Sequence, residues 1–189
     1  MLDFFIRYMS YIIPLSRYRK NFRLKLRTLI YGRHVYKKAL KIGKDFACAK
    51  GCSCNKKTII GNNVRLNSNF TVNGNGDLEI GDNTQFGPNV LVLTQNHNYD
   101  KGNKIPYDET YIYKKVEIGA NVWCGARVTI LPGTKIGEGA IIQAGAVVHG
   151  EVPALAIIGG NPAKVFKYRD EEHYMMLKKQ NEILYNYTN

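Results

Sequence analysis

From Ile118 onward a small or apolar residue returns at every sixth position: Ile118, Cys124, Ile130, Ile136, Ile142, Val148, Ala154 and Gly160. The same step runs through Ile80, Phe86 and Val92, and through Ile42, Cys48, Cys54, Ile60, Leu66 and Val72. A second series lies four residues on, in Val64, Phe70, Thr84, Val90, Val122, Val128, Thr134, Ala140, Ala146, Val152 and Ile158. Helices repeat every 3.6 residues and strands every two, so neither gives this spacing; a short-repeat solenoid does. Each hexad supplies one short strand and a corner, and three hexads close a triangular turn whose strands stack in parallel about 4.8 Å apart. Both series then point inward. Ile-Gly-Asn-Asn (60–63), Ile-Gly-Asp-Asn (80–83), Ile-Gly-Ala-Asn (118–121) and Ile-Gly-Glu-Gly (136–139) read as corners, where Gly, Asn and Asp supply tight backbone geometry. The hexads from 118 to 165 are expected to keep register without a slip.

Two interruptions shift the register earlier in the chain. One is a two-residue insertion at Leu78-Glu79, and the other is an excursion over 98–117. A long loop in a tight solenoid is usually functional. Past the repeats, Asp170 is a plausible N-cap for a helix whose Met176, Leu177, Ile183, Leu184 and Tyr187 recur at helical spacing and are expected to pack. The chain divides on this reading into a basic aromatic segment (1–41, expected to be helical), a solenoid (42–167, with loop 98–117) and a C-terminal helix (168–189).

Charge changes the picture only at the start. The net charge is +12, and residues 1–44 alone hold twelve Lys/Arg and one acid, so the solenoid is nearly neutral. The apolar run of residues 2–15 is too short and interrupted to span a bilayer and lacks the layout of a signal peptide. Two readings of residues 1–44 stay open. The segment lies on an anionic membrane surface, or it packs as a helix over the end of the solenoid with its cations in water. No motif that reads nucleic acid accompanies the charge. The expected location is cytoplasmic, with this segment placed to touch the inner face of the membrane. Cys48, Cys52, Cys54 and Cys124 all fall on the inward series, so they read as small core residues and no metal is expected.

Of four histidines, His34 and His173 read as surface residues. His97, in Thr-Gln-Asn-His-Asn-Tyr-Asp (94–100), stands at the lip of the excursion among polar residues. A neutral imidazole there can take a proton at neutral pH.

Residues 42–167 resemble the hexapeptide-repeat, left-handed β-helix acyltransferases. The resemblance rests on Val122-Trp123-Cys124-Gly125-Ala126 followed by Ile130-Leu131-Pro132-Gly133, on Ile142-Gln143-Ala144-Gly145-Ala146-Val147-Val148, and on Ile158-Gly159-Gly160-Asn161-Pro162-Ala163-Lys164-Val165. It is nearest to the maltose and galactoside O-acetyltransferases and to the O-acetyltransferases of capsule and O-antigen assembly. It implies an all-β, left-handed parallel β-helix; the hand comes from the resemblance alone, since the general crossover rule favours the right hand. It implies His97 as general base, with acceptor contacts from Asn67, Asn69 and Ser53. The loop 98–115, with Tyr99, Asp100, Tyr107, Tyr111 and Tyr113, is expected to shape the acceptor pocket. The resemblance places acetyl-CoA along Trp123, Ala126, Ala144, Gly145, Lys164 and Lys167. It also implies a homotrimer with sites between subunits, acting on a sugar or polysaccharide-precursor hydroxyl.

Some positions depart from that pattern. His149-Gly150 replaces the usual Thr-Lys, and Asn75 stands where some relatives carry an acid that contacts sugar. Alternatives are an acetyltransferase for a nucleotide-linked amino sugar or an antibiotic, and a non-catalytic scaffold. A zinc hydratase on this fold needs three convergent histidines, and only His97 and His149 lie in the solenoid.

Overall fold

The computed structural model describes residues 16–184, so the apolar run before Ser16 lies outside the described residues. Two helices, α1 (Ser16–Tyr31) and α2 (Arg33–Lys38), precede the solenoid. They close its open end through a few side chains. Thr28 is buried and its hydroxyl accepts the Cys48 amide at 3.1 Å, while Val35 is fully buried and its carbonyl accepts the Cys54 thiol at 3.7 Å. Residues 24–38 therefore pack over the end of the solenoid, leaving Lys25, Arg27, Arg33, Lys37 and Lys38 exposed.

The solenoid has three faces. The first stacks β1 (Lys41–Ile42), β3 (Thr58–Ile60), β6 (Leu78–Ile80), β11 (Val116–Ile118), β14 (Lys135–Ile136) and β17 (Glu151–Val152), all parallel. The second stacks β2 (Ala47–Cys48), β4 (Arg65–Leu66), β7 (Gln85–Phe86), β12 (Trp123–Cys124), β15 (Ile141–Ile142) and β18 (Ala156–Gly160), and β19 (Ala163–Tyr168) folds back antiparallel on β18. The third stacks β5 (Thr71–Asn73), β8 (Leu91–Leu93), β13 (Thr129–Ile130) and β16 (Val147–Val148), extended downward by a bridge from Ser53 to Thr71.

The core is the two inward series. Ile60, Val64, Leu66, Phe70, Val90, Val92, Val128, Ile130, Ile142 and Val148 are almost fully buried, and Phe70 meets Phe86 edge-on at 4.8 Å. All four cysteines are buried within these columns. At the corner between the first and second faces, Asn63, Asn83 and Asn121 adopt φ of 52°, 60° and 57°, which asparagine tolerates better than most residues. Their side chains also bond up the stack, with Asn63 Nδ2 donating to Asn83 Oδ1 at 3.0 Å.

The expected unbroken register over 118–165 is wrong at its end. Ile136 faces Val152 and Ile142 faces Ile158, a step two residues shorter than the one from Ile118 to Ile136. Val148 passes to Val152 through a tight corner at His149-Gly150, with Gly150 at φ 69°, so Ala154 and Gly160 of the first series are exposed. Asp170 caps α3 (Glu171–Lys179), its carboxylate accepting the His173 amide at 2.9 Å. No residue of α3 is buried, and Met176 is exposed, so the expected apolar packing of that helix is also wrong. Polar contacts hold it instead. Tyr174 donates to Glu138 at 2.9 Å and accepts from Asn121 at 2.9 Å, and Lys178 bonds the same carboxylate at 2.6 Å.

Candidate active site

The excursion leaves the third face at Thr94 and returns there, the Lys114 amide donating to the Thr94 carbonyl at 3.1 Å. It is an antiparallel arm, β9 (Gln95–His97) against β10 (Tyr111–Tyr113), with His97 opposite Tyr111. Thr94 is fully buried and anchors the base: its hydroxyl donates to the Asn73 carbonyl at 3.2 Å and accepts the Gly76 amide at 3.1 Å. His97 is half-buried at the end of β9. Its ring stacks on Tyr107 at 3.9 Å between centroids and lies tilted against Tyr111 at 4.7 Å. Among the described residues its Nδ1 is enclosed without a hydrogen-bond partner. The two phenols fix the plane of the imidazole.

Asp100 does not orient this histidine. Tyr99 and Asp100 are both exposed at the start of the loop. The carboxylate that organises the loop is Asp108, which is buried. It accepts the Thr110 hydroxyl at 2.6 Å, the Thr110 amide at 2.9 Å and the Asn103 amide at 3.2 Å. The Thr110 hydroxyl bond and then the amide bonds hold the Asp108 carboxyl below the usual carboxylate range. Asn98, next to His97, donates to the same Thr110 hydroxyl at 3.1 Å. The residue reading placed Tyr107 among the tyrosines of the acceptor pocket and did not single out Asp108. Asp-Glu-Thr at 108–110 was the available signal, because an aspartate commonly bonds the backbone two residues on.

The remaining candidates fall in two groups. Asn67 and Asn69 are exposed at the corner between the second and third faces, with Asn69 Nδ2 donating to Asn89 Oδ1 at 2.9 Å. Ser53 is half-buried at the foot of the third face. The second group stands higher on the same corner and on the second face. Ala126 accepts the Gly145 amide from the turn above at 2.8 Å, and a side-chain carbon on Gly125 would lie 2.6 Å from the Ala144 nitrogen. Gly145, at φ 76°, has open space where a side chain would project. Trp123 is exposed on β12, and its outward row runs through Ile141 and Ile157 to Lys167 on the fold-back strand. Lys164, also exposed, pairs with Gly159. A small-residue corner flanked by an indole and two lysines fits a narrow arm carrying phosphates at one end.

The chain does not bring His97 to Asn67. Asn67 follows β4 at one edge of the third face, and the arm bearing His97 leaves from the other edge. Cys124 offers no nucleophile here, since it is fully buried and burial pushes its thiol up, away from the reactive thiolate.

Residues 115–150 match the family described as Bacterial transferase hexapeptide (six repeats). This is a hexapeptide-repeat solenoid. Over 117 residues the solenoid chain is 35% identical to WbbJ of Escherichia coli (strain K12), named as a lipopolysaccharide biosynthesis O-acetyl transferase, covering 58% of this chain and 60% of that one. The chain spans between half and three-fifths of the length of the first curated relatives it matches. Among solved structures the solenoid superposes on galactoside acetyltransferase in complex with coenzyme A. The TM-score is 0.61 and the identity 22%, over 90% of this chain and 80% of that one. It also superposes on a variant of AntD, an N-acyltransferase from Bacillus cereus in complex with dTDP-4-amino-4,6-dideoxyglucose and coenzyme A. Here the TM-score is 0.62 and the identity 19%, over 81% of this chain and 96% of that one. These superpositions give the solenoid its left-handed coil.

Proposed function

We propose that the protein is an acetyl-CoA-dependent O-acetyltransferase for a sugar hydroxyl in surface-polysaccharide assembly. The observation that carries the reading is His97, held between Tyr107 and Tyr111 on an arm beside the face whose far edge carries the small-residue corner. The named activity of WbbJ and the shared fold support it.

In this reading the arm of acetyl-CoA lies along Ala126, Ala144 and Gly145, with Trp123 beside it and Lys164 and Lys167 near the phosphates. His97 takes the proton of the acceptor hydroxyl as its oxygen attacks the thioester carbon. A backbone amide at Ala126 stabilises the oxyanion. Collapse breaks the carbon–sulfur bond, and the imidazolium returns the proton to the CoA thiolate. The products are an O-acetyl sugar and CoA. Asn67 and Asn69 hold the acceptor against the His97 arm of a neighbouring chain, so that three chains form three sites.

Replacing His97 with alanine should lower kcat by about 10²–10⁴-fold on a sugar acceptor while acetyl-CoA still binds. A residual rate within a few-fold of wild type removes His97 from the base role. Absence of acetyl-CoA binding by calorimetry removes the activity altogether.

A further inference from the structure

The end cap leaves a cleft of about 300 Å³ where α1 crosses the lower edge of the second face. Leu24, Leu29, Tyr36 and Phe46 form its apolar walls, and Lys25, Arg65 and Asp45 bring charge to it. Capping the solenoid does not use these apolar side chains fully. Thr28 and Val35 do the seating, while Leu29 stays 76% exposed and Tyr36 53% exposed. A single exposed leucine is ordinary. Two such side chains on one cleft, beside the Tyr36–Phe46 edge contact at 5.5 Å, make a lined slot of the size at which small-ligand sites begin.

We infer that this cleft binds a single-chain lipid phosphate. Lys25 and Leu29 lie one turn apart on the same stripe of α1, so a cation stands beside the apolar wall. Arg65 supplies a planar fork suited to phosphate oxygens. Residues 24–44 contain no Asp or Glu and their Lys25, Arg27, Arg33, Lys37 and Lys38 are exposed, so this part of the cap presents positive charge to an anionic head group, with Asp45 the single acid among the described residues lining the cleft. Arg65 is also two residues before Asn67 on the same chain segment, a separation of about 7 Å in extended backbone. A phosphate held at Arg65 therefore sets the sugar attached to it near the candidate acceptor corner. That last link rests on the function proposed above, whereas the lipid-phosphate site does not.

The test is calorimetric titration of the full chain with farnesyl phosphate below its critical micelle concentration, alongside farnesol and inorganic phosphate. Farnesyl phosphate should bind in the micromolar range, and the other two at least about tenfold more weakly, because each lacks one half of the ligand. Leu29→Asp and Lys25→Glu should each weaken farnesyl phosphate binding by about tenfold or more, with circular dichroism showing that the cap helices persist. No binding of farnesyl phosphate overturns the inference. So does equal binding of inorganic phosphate, which marks a simple anion site, and so does binding that neither variant changes. Acetyl-CoA titrated into the same preparation separates the two readings. Farnesyl phosphate binding without acetyl-CoA binding leaves the cleft standing and removes the proposed function.

Discussion

At the scale of single residues, the sites that hold the protein together and those placed for chemistry are separate. Phe70 is wholly enclosed in the core, edge-on to Phe86, and its neighbours above and below are fixed by strand stacking. Phe70→Ala leaves a void that the stacked turns cannot close, so it should cost about 3–5 kcal/mol in denaturant unfolding. Asp108 works differently, gathering Thr110 and Asn103 around one carboxylate and leaving the core untouched. Asp108→Ala should loosen the loop that carries Tyr107. On the proposed activity it should raise KM for the acceptor while acetyl-CoA affinity stays close to wild type, as steady-state kinetics and calorimetry would show. The inward residues were legible in the sequence because burial repeats with the coil. Asp108 was not, because a loop has no period and Asp100 offered the same side chain nearer the histidine.

At the scale of elements, the described contacts of α3 centre on charge and hydrogen bonds. Glu138 is its anchor, and the Lys178 bond, followed by those from Tyr174 and Asn121, holds its carboxyl below the usual glutamate range. Burial, with the bond to Glu138, pushes the Tyr174 phenol up to about 12. A carboxyl depressed in the folded state contributes above its unfolded pKa, near 4.3, and stops contributing as pH falls through the lower folded value. The helix should therefore stay docked at neutral pH and detach in acid while the solenoid persists. Hydrogen exchange should show loss of protection over residues 174–180 below about pH 4, with the inward strands still protected. The sequence showed the N-cap at Asp170, since a cap is a local signal, but it misjudged the docking face. Met176 and Leu177 with Ile183 and Leu184 recur at helical spacing, yet among the described residues no side chain of α3 is buried. The slip after Val148 was hidden for a related reason: Ala154 and Gly160 are small enough to satisfy a six-residue pattern without being buried.

At the scale of the whole molecule, the third face separates two halves of one candidate site. Asn67 marks one edge, and the His97 arm leaves the other. If the proposed chemistry holds, chains must meet face to face, and light scattering should give three chains per particle; a stable monomer with full activity would refute that arrangement. Among the described residues no helix is long and apolar enough to cross a membrane. The two ends of the coil are finished in unlike ways. Helices α1 and α2 cover the first turn, and β19 reverses direction to lie antiparallel on β18. Every turn between them offers the next one a ready row of amide and carbonyl groups, so a bare end would accept another molecule's bare end as readily as its own next turn. On the second face the reversed strand breaks the parallel repeat at one end, and helix α1 packs against the first strand at the other. The stacking that builds the protein is thus interrupted on that face at both limits, where a geometry shared with a growing fibre gives way to elements that do not continue it.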